Sequence, residues 1–237
     1  KSLTTAATGG GEVAAAIGTK EFVAGLPHWM RLRDPGKDTV LYPEISYPSY
    51  EMGAIFAGCR AVQVPVDEQW SIRLDAISDD DAARALLLWV NTPGNPAGGL
   101  DDLQAAAVWG RRHGVPVFSD ECYVEFTWDG PPRTILHHGT EGVVAVHSLS
   151  KRSNLAGVRV GFYAGDADIV DFLREVRKHA GFMVPGPAQA AAVAALTDQS
   201  HVDVQRDRYQ SRLVRMAAVV EALGVRVELP RGGFYLW

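Results

Sequence analysis

No stretch of this 237-residue chain is apolar for the roughly 20 residues that a membrane span needs, and Lys1 to Gly11 lacks the apolar run of a secretory signal. A membrane partner is therefore not expected, and a cytoplasmic location is. Blocks of like charge are also missing. Twenty-eight acidic against 23 basic residues give a net charge of -5, so no positive field suited to nucleic acid or an anionic membrane is visible. Cysteine is scarce: Cys59 and Cys122 make no C-x-x-C spacing, and the expectation is two buried free thiols. Of seven histidines only His137 and His138 are close in sequence, too few ligands for a metal site. No repeat occurs, and the Gly9-Gly10-Gly11 patch is expected to be a flexible end rather than a phosphate loop.

What is present is ordinary globular material, 47% hydrophobic and 22% charged, enough for a sizeable core. The runs TVLY (Thr39–Tyr42), Ala61–Val64, LLLWV (Leu86–Val90), VPVF (Val115–Phe118) and VVAVH (Val143–His147) read as strands. Glu21–Trp29, Tyr50–Gly58 and Leu103–His113 carry apolar residues at helical spacing. Continuously apolar strands separated by helices imply an α/β fold, a mostly parallel sheet covered on both faces in a three-layer α/β/α arrangement. After Gly165 the pattern changes: Asp168–His179, Pro187–Leu196 and a long Val202–Leu223 read as helices. A strand pair, Val225–Leu229 and Phe234–Trp237, is expected to close around PRGG. Residues 1–201 thus form a large domain and 202–237 the start of a small α+β domain, incomplete here.

Ligands of open α/β sheets gather beyond the carboxyl ends of the strands, and four polar groups fall there. LLLWV leads into NTPGNPAGG with Asn91 and Asn95, VPVF into SDECY with Asp120 and Tyr123, and VVAVH into SLSK with Ser148, Ser150 and Lys151. IGTKE puts Gly18, Thr19 and Lys20 at a helix start, where free N–H groups favour a phosphate. Each has a bland reading: Asn95 as a turn residue, Asp120 as a helix cap, Gly18-Thr19 as a helix start, Lys151 as a solvated charge. Their shared edge and complementary chemistry favour a common ligand, an aromatic aldehyde bearing a phosphate. A lysine amine forms a Schiff base, a carboxylate keeps a ring nitrogen protonated, and hydroxyls, an arginine and a helix N-terminus hold the phosphate. Pyridoxal 5'-phosphate meets that description.

The motifs N-P-A-G (Asn95–Gly98), S-D-E-C-Y (Ser119–Tyr123) and S-L-S-K followed through G-V-R-V-G to Gly161, with an arginine eight residues after the lysine, resemble the fold type I, class I/II aminotransferases. Within these, IGTKE, YPEISYPSYEMGAIFAG, HSLSKRSNLAG, VRKHAGFMVPGPAQAA and GGFYLW are most similar to the actinobacterial-type N-succinyldiaminopimelate aminotransferases of lysine biosynthesis.

The resemblance implies roles residue by residue. Lys151 would carry the cofactor and move the substrate's Cα proton, and Asp120 would pair with the ring nitrogen. Tyr123 and Asn95 would meet the phenolic oxygen, and Tyr47 would stack on the ring. Ser148, Ser150, Arg159 and the Gly18-Thr19-Lys20 turn would bind the phosphate, while Asn154 and Gly157 shape a loop. A homodimer acting on an amino acid and a 2-oxo acid is implied. So are an N-terminal segment before Gly18, not found in Lys1 to Ala16, and a continuation past Trp237 that carries the arginine for the substrate carboxylate. Arg177, Lys178 and His179 are candidates for a distal carboxylate, against a plain solvated helix end. A C–S lyase on the same scaffold would keep every cofactor residue, and so would a non-catalytic pyridoxal-phosphate module of a regulator.

Overall fold

The structure, a computed structural model, describes residues 12–237; the Gly9–Gly11 patch lies outside them. Seven strands form one sheet: β1 (Val13–Ala16), β2 (Thr39–Pro43), β3 (Arg60–Val64), β4 (Ala85–Asn91), β5 (Val117–Asp120), β6 (Val143–Ser148) and β7 (Gly161–Gly165), in the order β1-β7-β6-β5-β4-β2-β3. The pairs β2/β3, β2/β4, β4/β5 and β5/β6 are parallel; β7 runs antiparallel to both β6 and β1. The expected mostly parallel α/β sheet is present, with β7 the one reversed strand.

Helices α1 (Thr19–Arg33), α2 (Ser49–Phe56) and α6 (Ala167–His179) cover one face, and α4 (Leu103–His113) the other. Side chains alternate across the sheet as a pleat requires: Trp89 and Phe118 face the first layer, and Leu88, Val90 and Val117 the second. In α4 the buried residues are Leu103, Ala106, Ala107 and Gly110, one stripe at i, i+3, i+4 and i+7, and the Asp102 carboxylate caps it by accepting from the Ala105 N–H at 2.9 Å. Rings tie the first layer together. Phe22 of α1 stacks on Tyr163 of β7 at 4.4 Å, and Tyr50 of α2 on Trp89 at 4.9 Å. Fully burying one such side chain contributes about 1.5–3 kcal/mol.

Four shorter or later helices complete the chain: α3 (Asp79–Arg84), α5 (Leu149–Arg152), α7 (Gly186–Thr197) and α8 (Ser200–Ala222). The strand pair expected at Val225–Leu229 and Phe234–Trp237 does not form. Outside one bridge between Gly232 and Thr127, this segment has no ladder partner. Its aromatic residues serve packing instead. Phe234 stacks on Tyr209 of α8 at 4.6 Å and meets the edges of Tyr123 and Phe126, and Trp128 Nε1 donates to Gly233 O at 2.7 Å. The fifth strand begins at Val117 rather than Val115, and β1 and β7 were not foreseen.

Candidate active site

Strand β4 is apolar until its last residue, Asn91, and β5 and β6 turn polar in their last two, Ser119-Asp120 and His147-Ser148, where the sheet meets a cavity of about 480 Å³. Register places Asn91 opposite Asp120, so the polar ends lie side by side. Every side chain named from the sequence for this site lines the cavity: Thr19, Lys20 and Tyr47; Asn95, Asp120 and Tyr123; Ser148, Ser150, Lys151 and Arg159. Gly18 borders it through Arg159. A second cavity of about 560 Å³, beside Asp67, Asp129 and Arg231, holds none of these groups.

Lys151 owes its place to its neighbours. Ser148 accepts from the Ser150 N–H at 3.2 Å, capping α5 as β6 ends, and buried Leu149 pins that single turn to the core. Two residues later Lys151 opens into the cavity, its Nζ 6.0 Å from the centre of the Tyr123 ring. The Tyr123 hydroxyl lies 3.0 Å from that of Tyr235, and burial beside this second phenol pushes it well above the usual tyrosine range.

Asp120 is buried. The Tyr50 hydroxyl donates to its Oδ2 at 2.8 Å and the Cys122 N–H to its Oδ1 at 3.1 Å. Burial raises its pKa above the usual carboxylate value, although Cys122, Tyr50 and the more distant His147 pull the other way. A cationic donor at this end of the cavity would relieve that cost. At the other end, α1 starts at Gly18 with no side-chain cap, which leaves its first N–H groups to whatever enters beside Thr19 and Lys20. Gly18 has φ of 69°, and a Cβ there would lie 2.2 Å from Arg159 Nη2. The missing side chain is what lets the guanidinium cross the helix start. An amine, a buried carboxylate in want of a cation, two hydroxyls and an arginine over a bare helix end match the donor set of a pyridine aldehyde phosphate.

Arg177 departs from both expectations: it neither faces the cavity nor sits in solvent. It is 1% exposed, among the rings of Phe22, Trp29, Tyr163 and Phe182 at 4.7 to 5.8 Å from their centres. It donates to both oxygens of Glu21, at 2.9 and 2.6 Å. Glu21 in turn accepts from the Ile17 N–H at 2.9 Å, so the pair fixes the turn that leads into Gly18. Lys178 and His179 are exposed. Cys59 and Cys122 are free but only half-buried, and Cys122 lines the cavity.

Two site residues escaped the sequence reading: Tyr50 holds Asp120, and Tyr235 holds Tyr123. Asn91, placed at the strand end by the sequence but given no role, lines the cavity. Tyr50 stands three residues after Tyr47 in the same motif, a spacing that faces one side of a helix and could have flagged it. Among the described residues no group of three or more His, Cys, Asp or Glu could hold a metal ion, and no helix is long and apolar enough to cross a membrane.

The fold and this cavity define a doubly covered α/β protein with its ligand site at the carboxyl edge of the sheet. Residues 10–237 match the family of class I and II aminotransferases, and the chain belongs to it. It is 43% identical over 233 residues to a probable aminotransferase of Mycobacterium tuberculosis, covering 95% of this chain and 53% of that protein. It is 41% identical over 233 residues to the 4-dedimethylamino-4-oxo-anhydrotetracycline transaminase of Streptomyces rimosus, covering 95% and 62%. The solved structure of a probable N-succinyldiaminopimelate aminotransferase from Thermus thermophilus superposes with a TM-score of 0.87 at 31% identity, over 95% of this chain and 62% of that one. The chain thus spans little more than half the length of such relatives. The family works with pyridoxal phosphate.

Proposed function

We propose that the protein moves an amino group between an amino acid and a 2-oxo acid, using pyridoxal phosphate. Its amino donor in this reading is N-succinyl-LL-2,6-diaminopimelate, with 2-oxoglutarate as acceptor, a step of lysine biosynthesis. One observation carries it: the Lys151 amine and the buried Asp120 carboxylate open into the same cavity, with anion-binding groups beside them. The likeness to the Thermus thermophilus protein supports the choice of substrate. A cytoplasmic homodimer belongs to the same reading.

When bound, the cofactor supplies an aldehyde for amines and a ring that withdraws electrons from the substrate Cα. This chain's residues do the rest. Ser148, Ser150, Arg159 and the first N–H groups of α1 would hold the phosphate, and Tyr47 would cover a ring face. Asp120 would accept from the ring nitrogen and keep it protonated, which relieves the burial cost of the free carboxylate. Tyr123 and Asn95 would meet the phenolic oxygen. The Lys151 amine would move a proton between the substrate Cα and the carbon that bears the cofactor's aldehyde, in one direction in the first half-reaction and in the other in the second.

The full-length protein incubated with pyridoxal phosphate should be yellow, its visible absorbance should shift with glutamate, and 2-oxoglutarate should restore it. Release of ammonia and pyruvate from sulfur amino acids, without amino transfer, would replace this reading with the lyase. Among donors, N-succinyl-diaminopimelate should give the highest kcat/KM.

Gly18→Ala tests the phosphate end. Its Cβ would meet the Arg159 guanidinium, in a backbone conformation that essentially only glycine adopts and that costs an L-residue about 1–3 kcal/mol. Pyridoxal phosphate should dissociate on the order of 10-fold more readily, measured by equilibrium dialysis. An unchanged constant would remove Arg159 and the α1 start from the binding site.

A further inference from the structure

Behind the cavity lies a hydrogen-bonded unit that none of the roles above uses. The Asn91 side chain bridges two of the residues assigned to the cofactor ring: its Nδ2 donates to Asp120 O at 3.0 Å, and its Oδ1 accepts from the Asn95 N–H at 2.8 Å. Asn91 is 5% exposed and is held from the far side by Asp101. The Asp101 Oδ2 accepts from the Asn91 N–H at 3.0 Å, its Oδ1 from the Ile72 N–H at 2.9 Å, and its own N–H donates to Thr92 Oγ1 at 2.8 Å. Thr92 also donates its N–H to Asp120 O at 3.1 Å.

One carboxylate therefore ties the end of β4 to the loop at residues 66–72, and the Asn91 side chain adds the Asn95 turn as a third segment. The loop lies directly on the turn, for a Cβ on Gly99 would come 2.4 Å from Trp70 O. The same loop has a second, separate anchor, where Glu44 Oε1 accepts from the Val66 N–H at 2.9 Å.

We propose that Asp101 is a positioning residue of the cofactor site, acting through Asn91 to set the distance between Asp120 and Asn95 and so the contacts at both ends of the cofactor ring. The inference rests on the pyridoxal-phosphate reading. Asp101 touches neither cofactor nor substrate; it fixes the backbone of the residues that do. The carboxylate is needed in its charged form, because both of its oxygens accept from backbone N–H groups. Burial pushes it up to about 6 against the pull of those donors. An amide in its place keeps the shape but turns one acceptor into a donor that faces an N–H.

Asp101→Asn should therefore weaken the grip on Asn91 at neutral pH. Asn95 and Tyr123 donors at the phenolic oxygen favour the deprotonated form of the bound chromophore. Loosening Asn95 should raise the pH midpoint of the visible band, by on the order of half a unit.

The test uses the full-length protein loaded with pyridoxal phosphate, and reads two quantities: the cofactor dissociation constant and the pH midpoint of its absorbance. Asp101→Asn should raise the constant on the order of 10-fold and raise the midpoint. Asn91→Ala, which leaves the backbone N–H for Asp101 and the loop contact intact, should do the same. Glu44→Gln, which loosens the loop alone, should move neither. An Asp101→Asn protein that melts earlier but keeps the parental constant and midpoint would show a loop anchor only, and would overturn the proposal. If Asp101→Asn does not fold, Asn91→Ala decides: parental values for both quantities overturn it. A parent protein that binds no pyridoxal phosphate overturns the functional reading instead.

Discussion

Glu21→Ala is expected to lower the unfolding free energy by about 3–5 kcal/mol, because it leaves a buried guanidinium with no counter-charge. The Arg177 side chain is 2% exposed and four aromatic rings surround it, so water replaces the carboxylate poorly. Ring faces attract the cation, but such contacts are worth about 0.5–2 kcal/mol each and do not satisfy N–H donors. The reverse change, Arg177→Met, should cost less. The Glu21 side chain is 21% exposed and can be hydrated once its partner is gone, and the thioether fills part of the space among the rings. The asymmetry separates a buried ion pair from plain packing, which would make the larger side chain the costlier loss. For a chain of this size the Glu21→Ala midpoint should fall on the order of 10 °C in thermal unfolding. Because Glu21 also accepts from the Ile17 N–H, both variants should bind pyridoxal phosphate more weakly than their stability alone explains. Equal midpoints for Glu21→Ala and the parent would mean that the guanidinium has reached solvent by another route.

That pair also shows where sequence reading stops. An arginine in the last turn of a helix has a good reason to sit in solvent, and nothing near it reveals a carboxylate 156 positions away. The central strands were legible because burial on both faces leaves an unbroken apolar run, and the run in β4 ends abruptly at Asn91. The same logic made the site legible: a polar residue directly after such a run must lie at the sheet edge. Strands β1 and β7, VAAA and GFYAG, are too small and too glycine-rich to carry an alternation, and their pairing is fixed only by each other and by β6. At 225–237 the alternation is real but misleading. Phe234 is apolar because it stacks on Tyr209, and Tyr235 is there with its hydroxyl on Tyr123, so the pattern reports a packing contact rather than a pleat. Asn91 reaches Asp120 through β-sheet register, which short-range spacing does not encode.

The largest loss of activity is expected at the cavity itself, and its two variants should part company in stability. On the proposed roles, Lys151→Ala removes the amine that would carry the cofactor and move the Cα proton, and kcat should fall about 10⁴-fold or more. Asp120→Asn should lower kcat by on the order of 10²–10³-fold, because an amide cannot hold a proton on the ring nitrogen as a carboxylate does. In the cofactor-free protein, however, Asp120→Asn should stabilise. The raised pKa means that folding disfavours the charged carboxylate, and an amide removes that cost: its oxygen can accept from the Cys122 N–H and its NH₂ can donate to the Tyr50 oxygen, the smaller loss being the Tyr50 O–H donor's own acceptor. The sign follows from linkage. Above the folded pKa of Asp120 the native state carries the full cost of the charge, so the variant's advantage is greatest at neutral pH. Below the unfolded value near 4 both states of the parent are protonated, and the advantage disappears. Melting curves of the two cofactor-free proteins between pH 4 and 8 should therefore diverge as the pH rises. Loading with pyridoxal phosphate should reverse their order, since only the carboxylate gains a cationic partner. Curves that stay parallel across this range would show that Asp120 is not strained by burial, and would remove the physical reason for a protonated ring to bind there.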